Sequence, residues 1–241
     1  MGATMTGDTV SAAEVARFDA LAGQWWQPNG PMAPLHRMNP ARIGWITERI
    51  AHHFGAASGL RVLDIGCGAG LAAEALARRG FDVLGVDAAA AAIDAARAHA
   101  EGAGLPLDYR VGTAEDLQRE GLRFPVITAL ELIEHVPDHD GLVRVLAELL
   151  APDGLLFLST LNRTARSFVF AKLGAEYVVR MLPVGTHDWR QFITPVELSA
   201  CLRDAGMRVT DSTGLLPVPG TFRWRTGRDL RINYVVCATH P

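Results

Sequence analysis

Cysteine is scarce: Cys67, Cys201 and Cys237 are the only three, and no two stand at C-x-x-C spacing. An odd count without that spacing excludes a disulfide framework and a zinc ribbon, and it fits a reducing cytosol. No apolar run approaches the ~18 residues a membrane-spanning helix needs. Residues 1–10 carry neither the basic nor the apolar region of a secretion signal. Blocks of like charge are missing too. Lys and Arg number 23 against 26 Asp and Glu, a net charge of -3, and no five like charges run together. That balance excludes a nucleic-acid footprint over the whole surface. Aromatics make up 7%, and there is no internal repeat or low-complexity tract. What is present is 49% hydrophobic and 20% charged residues in a chain of 241, enough to bury a full core.

Short apolar runs alternate with helical periods, the pattern of repeated βα units and a mostly parallel sheet. Ser11 and Glu14 have capping-box spacing and open a helix to about Leu21. Asn39 followed by Pro40 reads as a cap and first helical residue, with Ile43, Ile46, Ile50 and Phe54 on one face. Strands are predicted at 61–65, 82–86, 107–111, 125–130 and 155–160, and helices at 71–79, 88–101 and 142–150. Residues 152–154 make a turn between the last helix and strand. Thr194 and Glu197 form a second capping box, on a helix ending at Gly206, with closing strands at 208–210 and 233–238. The expectation is one α/β domain. Residues 1–58 form a helical cover, 59–162 the doubly wound core, 163–192 an insertion, and 193–241 the closing helix and strands.

The first strand runs into Gly66, Gly68 and Gly70, which open a helix and so present unpaired amides and a positive helix end to a ligand. A dinucleotide fingerprint needs a glycine three positions after Gly68, where Leu71 stands. That disfavours a nicotinamide dehydrogenase. The spacing of Asp64, Gly66, Gly68 and Gly70 resembles motif I of class I S-adenosylmethionine (SAM)-dependent methyltransferases, with a Rossmann-like seven-stranded mixed sheet. Asp87 ends the second strand, 17 residues after Gly70, where a carboxylate can accept from both ribose hydroxyls. It can equally cap the helix after it. Glu115 occupies the loop where this superfamily often reads the adenine edge, or is simply an acid at a helix start.

Residues just past Leu130 lie at the carboxyl end of a strand, where open α/β sheets bind ligands. There Glu131, Glu134 and His135 are spaced three and four apart. One helical turn brings them together as two oxygen donors and an imidazole. Such a set suits a divalent metal: magnesium by its oxygens, or manganese, iron or zinc by the histidine. The same residues also read as helix-capping acids with a polar loop histidine, or His135 as a general base.

Several flanking segments are more specific: Phe18 to Trp26, Pro34 to Pro40 with Arg42, Glu131 to Pro137, Ser159 to Arg163, Gly174 to Tyr177, and Gly185 to Trp189. Together they resemble the ubiquinone-biosynthesis O-methyltransferases of the UbiG type over nearly the whole chain. The resemblance implies SAM as cofactor and two methylations of catechol-type polyprenyl intermediates, 2-polyprenyl-6-hydroxyphenol and 3-demethylubiquinol. It places Arg42, Gly66, Asp87 and Leu130 on cofactor positions, and Glu131, Glu134 and His135 on divalent-metal positions, with magnesium foremost. It also suggests membership of a ubiquinone-biosynthesis complex. Departures are mild: Ala69 is often glycine in relatives, and Ala88 to Ala92 replaces a more varied stretch. On this reading Glu131 and His135 are catalytic, the histidine serving either as metal ligand or as base.

In the insertion, residues 167–182 are nearly all apolar except Lys172, Glu176 and Arg180, which form one stripe on a helix. With Arg163 and Arg166 the local charge is +3. The helix is either a lid or a contact with an anionic membrane, which would make the protein peripheral on the inner face of the plasma membrane. His187 and Asp188 close over a substrate ring or brace a turn. The rival of a different class is a non-catalytic SAM- or quinone-binding module.

Overall fold

The computed structural model describes residues 10–55, 58–164, 167 and 192–241. The expected membrane or lid helix, with Lys172, Glu176 and Arg180, and the His187–Asp188 pair lie outside them. No helix among the described residues is long and apolar enough to cross a membrane.

Strands β1 (Arg61–Ile65), β2 (Asp82–Asp87), β3 (Asp108–Val111), β4 (Phe124–Leu130), β5 (Leu150–Leu161), β6 (Arg208–Pro217), β7 (Trp224–Gly227) and β8 (Asn233–Thr239) form one sheet in the order β3-β2-β1-β4-β5-β8-β6-β7. The first five are parallel, while β8 runs antiparallel to β5 and β6, and β7 antiparallel to β6. The sheet is the doubly wound mixed one expected, extended by β7. Its four residues, Trp-Arg-Thr-Gly, have too little apolar periodicity to read as a strand without their partner. The order reverses between β1 and β4, which opens the crevice at their carboxyl ends.

Helices α1 (Ala12–Leu21), α2 (Ala33–Phe54), α3 (Leu71–Ala77), α4 (Ala90–Gly102), α5 (Ala114–Arg119), α6 (His139–Leu149) and α7 (Pro195–Asp204) cover the sheet. One face packs Ile43, Ile46 and Ile50 of α2 with Leu76 of α3 and Ile93 of α4. The other packs Leu117 of α5, Leu142 and Leu146 of α6, and Leu198 and Leu202 of α7. All but Leu142, at 2%, are fully buried. Burial stabilises each by ~1.5–3 kcal/mol against leaving it exposed.

Local signals mostly hold. Thr194 accepts from the Glu197 amide, and Glu197 accepts from the Thr194 amide at 2.8 Å, closing the expected capping box. Three differ. Ser11 is the N-cap of α1, but its side chain makes no capping bond. Glu14 instead turns to the Arg17 guanidinium at 3.4 Å and to the His135 imidazole at 2.8 Å rather than to a backbone amide. Asn39 and Pro40 do not start a helix, because α2 begins at Ala33 with Pro34 in its first turn and carries Pro40 inside it. The Asn39 side chain is drawn off to donate to the Leu71 carbonyl at 2.9 Å. Finally, residues 151–154 do not separate helix from strand. They form an irregularity within β5, whose register against β4 moves from Phe124–Leu150 to Val126–Leu155.

Candidate active site

A cavity of about 320 Å³ opens at the carboxyl ends of β1 and β4. Gly66, Gly68, Asp87, Glu115, Leu130, Glu131, Glu134 and His135 line it together. Arg42, Asp64 and Gly70 are not part of its lining. The first two lie behind it, buried at 3% and 1% exposure.

Two of the glycines are required by contact as well as conformation. Gly68 (φ +53°) sits so close to Trp25 that a Cβ would fall 2.2 Å from the ring, and at Gly70 (φ +87°) one would fall 1.9 Å from the Tyr109 hydroxyl. Left-handed backbone is costly for any side chain. The loop is closed onto β2, since the Gly68 amide donates to Asp87 Oδ2 at 2.7 Å. The other oxygen accepts from the Ala89 amide at 2.8 Å. Asp87 thus serves the start of α4 and the loop at once, and burial raises its pKa against these two bonds.

Behind the loop, Asp64 accepts from the Thr128 hydroxyl at 2.7 Å, and burial pushes its pKa to about 6. Arg42 donates to Asn39 Oδ1 at 3.0 Å and stands 3.8 Å from Glu131 Oε1. Burial lowers its pKa, while Glu131, Asp64 and Glu134 push it back up. Arg42 Nε and Nη1 and Asp64 Oδ2 are buried without hydrogen bonds. Unsatisfied groups of opposite charge in one place are what a site for an amino-acid zwitterion leaves open.

The expected helical turn at 131–135 is not formed. Glu131 has a left-handed φ of 55°, and only Ile133–His135 form a 3-10 turn. The spacing of three and four therefore does not stack the side chains. Both glutamates turn to the sheet: Glu131 accepts from Ser159 Oγ at 2.7 Å and Asn233 Nδ2 at 2.9 Å, and Glu134 from Thr160 Oγ1 at 2.9 Å. His135 faces α1 instead, with Nδ1 2.8 Å from Glu14 and the Phe18 ring edge-on at 5.2 Å. Burial lowers the His135 pKa and lifts that of Glu134 well above its usual range, the Glu131 charge adding to the latter. Among the described residues no three His, Cys, Asp or Glu side chains are gathered into a metal-holding group. The donor types suit a divalent cation and share one cavity wall, yet as placed they are not a coordination sphere.

Sequence reasoning placed Arg42 of the N-terminal cover on a cofactor position but gave its two adjacent tryptophans no role, and they hold the glycine loop. Trp25 lies over Gly68, and Trp26 Nε1 donates to the Ala69 carbonyl at 3.0 Å. The Trp26 ring stacks on His99 at 3.4 Å, and His99 Nδ1 is 2.6 Å from the buried Glu74. Asp19 of α1 accepts from the Ala91 amide at 2.9 Å, capping α4 from 72 residues away. The adjacent tryptophans were the available signal: two large aromatics in a chain with few need a surface to cover.

A family model described as a methyltransferase domain matches residues 36–212. Among solved structures, magnesium protoporphyrin IX methyltransferase from Synechocystis PCC 6803 with bound SAH is similar at a TM-score of 0.68 and 17% identity, covering 95% of this chain and 98% of that one. At that identity the likeness speaks for the fold. Sheet order, glycine loop and acid-ended second strand, with these matches, define a SAM-dependent methyltransferase. Ubiquinone biosynthesis O-methyltransferase of Azorhizobium caulinodans is 48% identical over 94% of this chain and 92% of its own. That of Cereibacter sphaeroides is 48% identical over 97% and 98%. The chain belongs to the ubiquinone biosynthesis O-methyltransferase family, and its chemistry is SAM-dependent O-methylation.

Proposed function

We propose that the chain methylates a phenolic hydroxyl of polyprenyl catechols, 2-polyprenyl-6-hydroxyphenol and 3-demethylubiquinol. The observation that carries this reading is that Gly66, Gly68 and Asp87 line the same cavity as Glu131, Glu134 and His135. Asp87 with the loop amides takes the ribose, Glu115 takes the adenine edge, and Arg42 and Asp64 take the carboxylate and ammonium of the methionine part. Leu130 forms the floor. The sulfonium methyl then points towards the 131–135 segment.

A phenol has a pKa of about 10, so at neutral pH the nucleophile must lose a proton. With Glu14 accepting from Nδ1–H, His135 keeps its other nitrogen as an acceptor, and burial holds the ring neutral. It is therefore a competent base. Attack of phenolate on a sulfonium merges opposite charges, so a cavity walled by Leu21, Trp25, Met38 and Val136 favours the reaction by excluding water.

A divalent cation held by Glu131, Glu134 and His135, magnesium foremost, would supply a second means of lowering the phenol pKa. The crowding of the Glu131 charge on buried Glu134 is the observation in its favour. Chelation followed by a labelled-methyl assay separates the routes. Lost turnover with SAM binding intact supports the cation, and full turnover after metal removal leaves His135 as base. No transfer to any catechol under either condition rejects the proposed substrate. Glu131→Ala lowers turnover far more than cofactor affinity on either route.

A further inference from the structure

We propose that Asn233 holds the second, unreacting hydroxyl of the catechol, its side-chain carbonyl accepting that hydroxyl's hydrogen and so selecting ortho-diphenols over simple phenols. This rests on the reading of the substrate as a polyprenyl catechol, and both proposed substrates carry a free hydroxyl beside the one that is methylated.

Asn233 opens β8. Because β8 runs antiparallel to β5, its first residue stands at the carboxyl end of the parallel strands, paired with Leu161, the last residue of β5. It is 3% exposed and lines the cavity with Leu161 and Trp224. In the sheet, β5 and β8 lie on one side of β4, while β1 and β2, which lead to the glycine loop and Asp87, lie on the other. The segment 131–135 that follows β4 therefore separates Asn233 from the cofactor end of the cavity.

Hydrogen bonding fixes which way the amide faces. Nδ2 donates to Glu131 Oε2 at 2.9 Å, while Ser159 Oγ donates to Glu131 Oε1 at 2.7 Å. Reversing the amide would set a carbonyl against a carboxylate, two acceptors with no hydrogen between them. Oδ1 is therefore the free acceptor, and it is buried without a hydrogen bond. A buried acceptor left unpaired is destabilising. Donation from Nδ2 to a carboxylate also polarises the amide and makes its oxygen a stronger acceptor.

A catechol brings the missing donor. His135 receives the proton of the reacting hydroxyl, and Asn233 Oδ1 accepts the hydrogen of its neighbour. An amide oxygen accepts a hydrogen without removing it, so the hydroxyl held at Asn233 stays neutral, a poor nucleophile, and is not methylated. A phenol without that hydroxyl leaves Oδ1 unpaired. Sites built to hydrogen-bond a substrate hydroxyl reject the analogue lacking it for this reason.

The test is calorimetric binding of 3-methylcatechol, and of 3-methylphenol, which lacks the second hydroxyl, to the full chain loaded with SAH in the presence of a chelator. Wild type is expected to bind the catechol roughly 5–150-fold more tightly than the phenol. Asn233→Leu keeps the branched shape and loses the acceptor, so this ratio should fall to within about twofold of one. Asn233→Asp keeps an acceptor but has no amide to donate to Glu131, and should hold the wild-type ratio to within about threefold. Loss of the Glu131 contact acts on both ligands alike and cancels from the ratio. Titration with SAH shows each variant folded, and Asn233→Ala replaces the leucine variant if that one does not bind SAH. A wild-type ratio within about twofold of one, a leucine or alanine variant that keeps the wild-type ratio, or an aspartate variant that loses it overturns the proposal. So does catechol binding that appears only when magnesium is restored, since the cation then holds the hydroxyls. The substrate reading survives each of these results. SAH binding without catechol binding, with or without magnesium, rejects that reading and the proposal with it.

Discussion

Asp64 is 1% exposed, and burial lifts its pKa from 3.8 to about 6. One oxygen accepts from Thr128, and the other has no hydrogen bond. The unfolded chain ionises this group near 3.8 and the folded one near 6, so between those values the folded state holds the extra proton. Its contribution to stability therefore falls as pH rises through that window, by ~3 kcal/mol in all. Asn at this position mimics the protonated form and can still accept from Thr128. At pH 7.5 the cofactor-free Asp64→Asn protein should be more stable by ~1–3 kcal/mol, a Tm higher by about 2–10 °C. Cofactor affinity should move the other way. Loss of one charge-assisted bond to the SAM ammonium costs ~1.5–3 kcal/mol, or roughly 10–150-fold in Kd. In wild type, affinity should rise with pH up to about 6 and then level, and this slope should vanish in the variant. Scanning calorimetry and isothermal titration between pH 5 and 8 read both. A variant that is less stable, or that binds SAM like wild type with the slope unchanged, would refute the assignment of Asp64 to the cofactor.

Gly68→Ala should destabilise the protein by ~2–5 kcal/mol and weaken SAM binding at least tenfold, because the Cβ, 2.2 Å from Trp25, must displace a buried ring and hold φ +53°. Urea denaturation and titration of SAM measure the two effects. Trp26→Phe keeps a ring for His99 but loses the bond to Ala69, a loss of ~1 kcal/mol. It should raise the KM for SAM about fivefold with kcat nearly unchanged, which steady-state kinetics at saturating catechol would show.

The elements that could be read in the chain are those whose signals are local. The Thr194–Glu197 box, the left-handed glycines and the buried face of Ile43, Ile46 and Ile50 each depend on residues a turn or less apart. Where a distant group competed, local reading failed. Glu14 had the spacing to cap α1, but a histidine 121 positions later is its partner. Asn39 had the chemistry of a cap, but Leu71 and Arg42 engage its side chain within a longer helix. β7 exists only because β6 offers it a ladder, so its four residues carried no signal.

The same division runs through the site. Sequence by itself determined the doubly wound class, the glycine loop, the acid ending β2 and the place of the 131–135 cluster, because strand order and turn chemistry follow from short-range pattern. Only the tertiary structure decided that Glu131 and Glu134 turn towards β5 and β8 while His135 turns towards α1. It also decided that Trp25 and Trp26 clamp the loop. Those outcomes turn on one left-handed residue and on contacts between segments more than 20 positions apart, which no spacing rule encodes.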